Sequence, residues 1–161
     1  MMERKGGILL IGYGNPGRLD DGLGPAAAAA VERWGHPGVT VDSDYQLTVE
    51  DASDIAAHDI VIFADASVNG EEPFFVTPVQ PRQAVSFSSH SVEPEALMHM
   101  AHTLFNGKTR GYVLGIRGYE FNEFGERLSS RAAENLDRAL QYLRLVLEDP
   151  RLLDMPRDAA N

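Results

Sequence analysis

The chain has 161 residues, with 14 basic and 24 acidic side chains, a formal net charge of −10 and no cysteine. This length suits a single domain with its own core, and the absence of cysteine excludes a disulfide framework, a thiol nucleophile and a thiolate metal site. An acidic surface repels phosphate backbones, so we expect no nucleic-acid partner.

Apolar segments alternate along the chain between strand-like and helix-like patterns. Strands are predicted at residues 7–13, 39–44, 59–65, 74–79 and 112–118, and helices at residues 22–34, 50–57, 92–105 and 129–148. The alternation predicts an α/β fold, with a single three-layer domain built on a mostly parallel twisted sheet with helices on both faces. We expect this domain to span residues 1–150 and residues 151–161 to form a frayed tail. The first apolar run is too short for a signal peptide or a membrane span, so we expect a cytoplasmic protein without membrane association.

The loop after the first strand reads GYGNPGRLDDGLG and permits two interpretations. Gly12, Gly14 and Gly17 match the dinucleotide pattern G-x-G-x-x-G, which favours a dinucleotide- or phosphate-binding module. Asp20 and Asp21 oppose this alternative, because they bring negative charge close to where the phosphates of a dinucleotide bind. Either aspartate could instead cap the following helix. Since adjacent residues cannot both face one crevice at a regular helix start, we expect Asp21 to have the functional role and Asp20 to be less important.

Two further polar residues follow other predicted elements at the edge where ligands bind in parallel sheets. Asp65 ends the apolar run DIVIFAD, and His90 lies in the polar segment SFSSHSVEP before a helix. If their strands are neighbours, the carboxylates of Asp21 and Asp65 share one crevice at the carboxyl ends of the strands. Two carboxylates and one imidazole with open positions suit a borderline divalent ion such as nickel or zinc. A metal-dependent hydrolase of small molecules is therefore another alternative.

In these residues the chain resembles the nickel-iron hydrogenase maturation endopeptidases. Asp21, Asp65 and His90 occur in the same contexts and order as in that family. The second family piece is Asp65-Ala66. The opening pattern G-x-G-N-x-x-x-x-D-D-G-x-G is present as Gly12, Gly14, Asn15, Asp20, Asp21, Gly22 and Gly24.

The resemblance implies a peptidase that removes a C-terminal extension from the precursor of a hydrogenase large subunit. Asp21, Asp65 and His90 would be its catalytic residues and its nickel ligands. Nickel would arrive in the precursor and serve as the recognition feature, so the resting enzyme need not hold a metal. The expected partner is the precursor, and the enzyme itself is expected to be a monomer.

One segment departs from the commonest pattern of that family. Where many members carry an acidic residue followed by Gly-Gly-Thr, this chain has Asp44, Tyr45, Gln46 and Leu47. The Gln-Leu pair is similar to the variant associated with bidirectional, NAD-linked hydrogenases. We expect Asp44, Tyr45 and Gln46 to determine which precursor is cut without binding the metal, because an aromatic face and an amide can contact an extended peptide.

Overall fold

The computed structural model describes residues 5–83 and 92–156. Five strands and four α-helices alternate along these residues. The strands are β1 (Ile8–Tyr13), β2 (Val39–Asp44), β3 (Ile60–Ser67), β4 (Phe74–Val79) and β5 (Arg110–Arg117). The helices are α1 (Leu23–Trp34), α2 (Asp51–Ala56), α3 (Pro94–Leu104) and α4 (Ser130–Glu148), with short 3-10 helices at Leu19–Gly22 and Pro150–Asp154.

The helix boundaries follow from local chemistry. α1 is rich in alanine, the best helix former, and ends at Gly35, whose left-handed conformation (φ 62°) suits glycine. α3 begins with Pro94, which has no N–H and is tolerated in the first turn. Ser129 caps α4, since its side-chain oxygen accepts the backbone N–H of Ala132 at 3.3 Å. Each of these boundaries lies within two residues of its predicted position.

The strands form one sheet in the order β2-β1-β3-β5-β4. All neighbours are parallel except β4, which runs antiparallel to β5 at the edge. From β1 the chain passes first to β2 on one side and then to β3 on the other, so strand order reverses between β1 and β3. In such sheets the crevice beyond the carboxyl ends of these two strands is the preferred ligand site.

The core has two halves, one on each face of the sheet. In β1, Ile8 and Leu10 pack toward α1 and α4, whereas Leu9 and Ile11 pack toward α2 and α3. This alternation is the period of two that a strand imposes on its side chains. Helices therefore cover both faces, and the predicted three-layer α/β fold with a mostly parallel sheet is confirmed.

The expectation of a frayed tail after residue 150 is wrong for the residues that the structure describes. The 3-10 helix Pro150–Asp154 packs back on the domain, with Leu153 buried in the core. Asp154 accepts a hydrogen bond of 2.6 Å from the Tyr112 hydroxyl through Oδ1. The burial of Leu153 and the hydrogen bond between Tyr112 and Asp154 hold this segment against the domain. Residues 157–161 lie outside the described part of the chain.

Candidate active site at the ends of two central strands

The loop between β1 and α1 folds into a tight, internally bonded structure. Gly14 has φ 140°, and its N–H donates to the carbonyl of Asp44 at the end of β2 (3.1 Å). Asn15 Oδ1 accepts the N–H of Gly17 at 2.8 Å, and the N–H of Asn15 donates to Asp21 Oδ2 at 2.8 Å. The loop thereby fixes the Asp21 carboxylate close to the end of β1.

Glycine in this loop is explained by packing. A side chain at Gly24 would collide with the carbonyl oxygens of Tyr13 and Ala64, and one at Gly14 would collide with the carbonyl oxygen of Asp21. The start of α1 is thus pressed against the ends of β1 and β3. Because Asp21 lies in the 3-10 helix that leads into α1, a negative charge lies near the place where a dinucleotide would need to put its pyrophosphate. This geometry disfavours the dinucleotide alternative.

Asp65 lies in β3, the strand next to β1, which leads into the Asp21 loop. Burial raises the pKa of Asp65 to about 6, and the negative charges of Asp21 and Glu93 contribute to the increase. The backbone N–H of Ala66, which donates to Oδ1 at 2.8 Å, offsets this increase only in part. A carboxyl group with its pKa raised toward neutrality at a sheet crevice is a typical feature of a functional site.

Asp20 has a different role from its neighbour Asp21, because its carboxylate is fully buried. It accepts the backbone N–H groups of Tyr119 (2.8 Å), Glu120 (3.0 Å) and Ser129 (2.7 Å), together with the Ser129 hydroxyl (2.7 Å). Burial alone would raise the pKa of Asp20, but these four hydrogen bonds outweigh it and hold the pKa below its usual value. Asp20 therefore fastens the segment after β5 to the loop that carries Asp21.

His90, the third predicted ligand, lies outside the described residues. Glu93, three positions later in the sequence, occupies the N-cap position of α3 without a capping side-chain hydrogen bond and is close enough to Asp65 to affect its pKa. Three other histidines have structural partners. These are His36 with Glu148, His58 with Asp54 and Thr40, and His102 with the carbonyl of Thr109.

The predicted specificity segment follows β2 and is exposed. Asp44 and Tyr45 line an open cavity of about 230 Å³ beside the loop of Gly14, together with Pro16, Pro25 and Ser43. Tyr45 is 69% exposed, and Asp44 fixes its own turn by accepting the N–H of Tyr45 at 2.8 Å. Gln46 is exposed but does not line the cavity. This segment is thus available for contact with a partner.

Sequence reasoning missed two features close to the site. Tyr13, the last residue of β1, forms a hydrogen bond with the Asp65 side chain. The sequence feature that could have identified Tyr13 is its position at the end of a strand, next to the glycine-rich loop.

Carboxylate oxygens of Asp42, Asp51 and Asp54 also lie within 4.8 Å of one another. In this cluster Asp51 Oδ2 accepts the N–H of Thr48 at 2.9 Å, as a residue at the start of a helix does.

Comparison with known proteins shows similarity in structure. No family model matches the sequence, and no curated protein matches it significantly.

Among the described residues, no helix is both long and apolar enough to cross a membrane.

Three solved structures superpose over most of this chain. The hydrogenase maturation protease HycI of Thermococcus kodakarensis has a TM-score of 0.67 and 20% identity, covering 89% of this chain and 93% of its own. The hydrogenase 2 maturation peptidase of a Thaumarchaeota archaeon has a TM-score of 0.64 and 21% identity, covering 88% and 98%. The maturating endopeptidase HybD of E. coli has a TM-score of 0.64 and 18% identity, covering 89% and 93%. The chain therefore has the fold found in hydrogenase maturation proteases.

Proposed function

We propose that this protein is a hydrogenase maturation endopeptidase that removes a C-terminal extension from the precursor of a nickel-iron hydrogenase large subunit. The observation that carries the proposal is that the charge of Asp21, in the loop after β1, acts on Asp65 in the neighbouring strand β3, beside the switch in strand order. The shared fold and the opening sequence pattern, which supplies Asp21 itself, support the same assignment. We further expect a monomer that acts in the cytoplasm. The chain has no cysteine, so its stability does not depend on disulfide bonds, which do not persist in a reducing compartment.

The chemistry of the two carboxylates fits a divalent cation. In residues 5–83 and 92–156, neither Asp21 nor Asp65 forms an ion pair with a lysine or arginine. The negative charge of Asp21 raises the pKa of Asp65, so the two groups repel each other, and a cation between them would remove this repulsion. Carboxylate oxygens, together with the imidazole expected from His90, form a donor set that suits nickel.

In this proposal nickel belongs to the substrate and arrives in the precursor. A divalent ion supplies Lewis-acid polarisation of a carbonyl, or a lowered pKa of bound water. Asp21 and Asp65 contribute oxygens that recognise the loaded precursor, and Asp21 is held in place by the N–H of Asn15. Asp65 can also accept a proton from water in its ionised form, which predominates above a pH of about 6.

The identity of the precursor is the finer part of the proposal. The exposed segment of Asp44, Tyr45 and Gln46 occupies the position where many hydrogenase maturation endopeptidases carry an acidic residue followed by Gly-Gly-Thr. The pair Gln46-Leu47 is similar to the variant associated with NAD-linked hydrogenases. Two of these residues line the 230 Å³ cavity beside the Asp21 loop, which supports a role in contacting the precursor. We therefore propose the large subunit of a bidirectional, NAD-linked hydrogenase as the substrate.

The test is cleavage of a purified precursor, followed by mass spectrometry. Wild-type protein should shorten the nickel-loaded large-subunit precursor at a single bond, whereas Asp21→Asn and Asp65→Asn should not. Asp137→Asn is the matched control, because Asp137 is an exposed carboxylate on α4. A precursor of unchanged mass would overturn the proposal, and NAD binding in a fluorescence titration would then favour the dinucleotide-binding alternative.

A further inference from the structure

The register of the central strands places Tyr13 beside Asp65. β1 and β3 pair in parallel with Gly12 opposite Ala64, and Tyr13 and Asp65 each come one residue later. Tyr13 is partly buried and packs against the apolar cluster under α2 and α3. Its ring is thus held by the core, while its hydroxyl reaches the crevice.

The Tyr13 hydroxyl forms a hydrogen bond with the Asp65 carboxylate. In this pair the phenol O–H donates and the carboxylate oxygen accepts. Asp65 Oδ1 also accepts the N–H of Ala66 at 2.8 Å. Two donors from different strand positions therefore restrict the rotation of one carboxylate.

Such a restraint matters because the surroundings of Asp65 are acidic. Asp21 and Glu93 both act on Asp65 with negative charge, and Glu95 acts in the same way on Tyr13. Repulsion of this kind favours rotation of a free carboxylate toward solvent. A tyrosine ring packed in the core has few rotatable bonds, so it can oppose this rotation at small entropic cost.

We propose that Tyr13 is a positioning residue that orients the Asp65 carboxylate toward the crevice it shares with Asp21. The proposal rests on the proposed function in that the crevice is taken as the site of the nickel-loaded precursor. In this role Tyr13 acts through Asp65 and not on the substrate. Removing a hydrogen-bond partner of a metal-binding side chain commonly weakens metal affinity or activity by about 10- to 100-fold, and we expect an effect of this size from Tyr13→Phe.

The chain offers a matched control in a second tyrosine–aspartate pair. Tyr112 donates to Asp154 Oδ1 at 2.6 Å, and Tyr112 belongs to the opposite half of the core. It lies near the start of β5, whereas the crevice lies at the carboxyl ends of the strands. Tyr112→Phe therefore removes the same chemical group with the same kind of partner, without touching the crevice.

The experiment is a double-mutant cycle with Tyr13→Phe, Asp65→Asn and the combined variant. Two readouts are measured, namely the affinity of the full-length protein for Ni²⁺ ions by calorimetry and the rate of precursor cleavage. Thermal unfolding is followed in parallel. Tyr13→Phe should weaken both readouts by about 10-fold or more in the wild-type background and have little effect when Asp65 is already replaced. Tyr112→Phe should leave both readouts unchanged.

The two readouts separate this proposal from the proposed function. A coupled loss of Ni²⁺ affinity without any precursor cleavage would support the role of Tyr13 and overturn the peptidase assignment. Normal cleavage with additive losses in the cycle would overturn the role of Tyr13 alone. If the wild-type protein binds no free Ni²⁺, the cleavage rate of Tyr13→Phe compared with that of Tyr112→Phe decides, and equal rates would overturn the role of Tyr13. A wild-type protein with neither activity would overturn both proposals.

Discussion

Two hydrogen bonds join Asp20 to Ser129, one from the backbone N–H to Oδ1 and one from the hydroxyl to Oδ2, each 2.7 Å long. Ser129 is also the residue that caps α4. The loop that carries Asp21 is thereby fastened to the start of the last helix, 109 residues further along the chain. The adjacent Asp21 bonds within its own loop, and its negative charge acts on Asp65.

Replacing Asp20 should damage stability, whereas replacing Asp21 should damage activity. Asp20→Asn places an NH₂ donor among N–H donors in a buried site, so we expect a loss of about 2–4 kcal/mol in the free energy of unfolding. Asp21→Asn should unfold nearly as the wild type does but leave the precursor uncut. Urea denaturation and cleavage assays, run where both variants are folded, measure the two effects. Cleavage by Asp21→Asn but not by folded Asp20→Asn would show that the roles are reversed.

Asp65 should make the metal-free protein less stable as pH rises. Folding raises the pKa of Asp65 to about 6, above the unfolded value of ~3.9. The native state therefore binds this proton more tightly, and the resulting stability is present below a pH of about 4 and is lost as pH rises through about 6. Asp65→Asn should thus be more stable than the wild type by about 1–3 kcal/mol at pH 8, and this difference should disappear at a pH of about 3. Thermal unfolding at both pH values tests this, and an equal difference at both would contradict it.

The segment after β2 should control substrate choice. Replacing Tyr45-Gln46-Leu47 by Gly-Gly-Thr should change which large-subunit precursor is cut, because an exposed aromatic surface and an amide are removed beside the cavity. Leu47 is buried, so a second variant that changes only Tyr45 and Gln46 to glycine guards against loss of stability. Cleavage of a panel of precursors is the measurement. Affinity for Ni²⁺ should survive in both variants, and its loss would assign the segment to the metal site.

Nickel in the precursor should act as a checkpoint. A nickel-free precursor should be cut slowly or not at all, and cleavage should resume once nickel is inserted. The reason is that two repelling carboxylates, Asp21 and Asp65, gain a favourable partner only when the substrate brings a cation. Cleavage assays on both precursor forms, with metal analysis of the resting enzyme, measure this. Tightly held zinc in the resting enzyme, with equal cutting of both forms, would overturn the checkpoint.

The sequence by itself determined the order of the elements and the layer architecture. Apolar runs identified the central strands, because a strand buried on both faces must be apolar throughout, as Ile8 to Ile11 are. Asp65 could be placed at the end of a central strand for the same reason. The edge strand β2 was identified instead by its alternation of apolar and acidic residues. The dense glycines around Gly14 and Gly24 indicated close backbone packing, although not which elements approach each other.

The sequence predicted that Asp20 is less important than Asp21, but only the tertiary structure shows what Asp20 does instead. The two residues have the same side chain and the same local surroundings, and their difference comes from partners such as Ser129 that are distant in sequence. The same holds for Tyr13, whose link to Asp65 depends on the register of β1 against β3. It also holds for Leu153, which is buried because the 3-10 helix Pro150–Asp154 packs against the core. Short-range patterns did not predict this helix. Local patterns record the propensity of a segment, whereas hydrogen-bond partners across a fold are determined by which segments pack together.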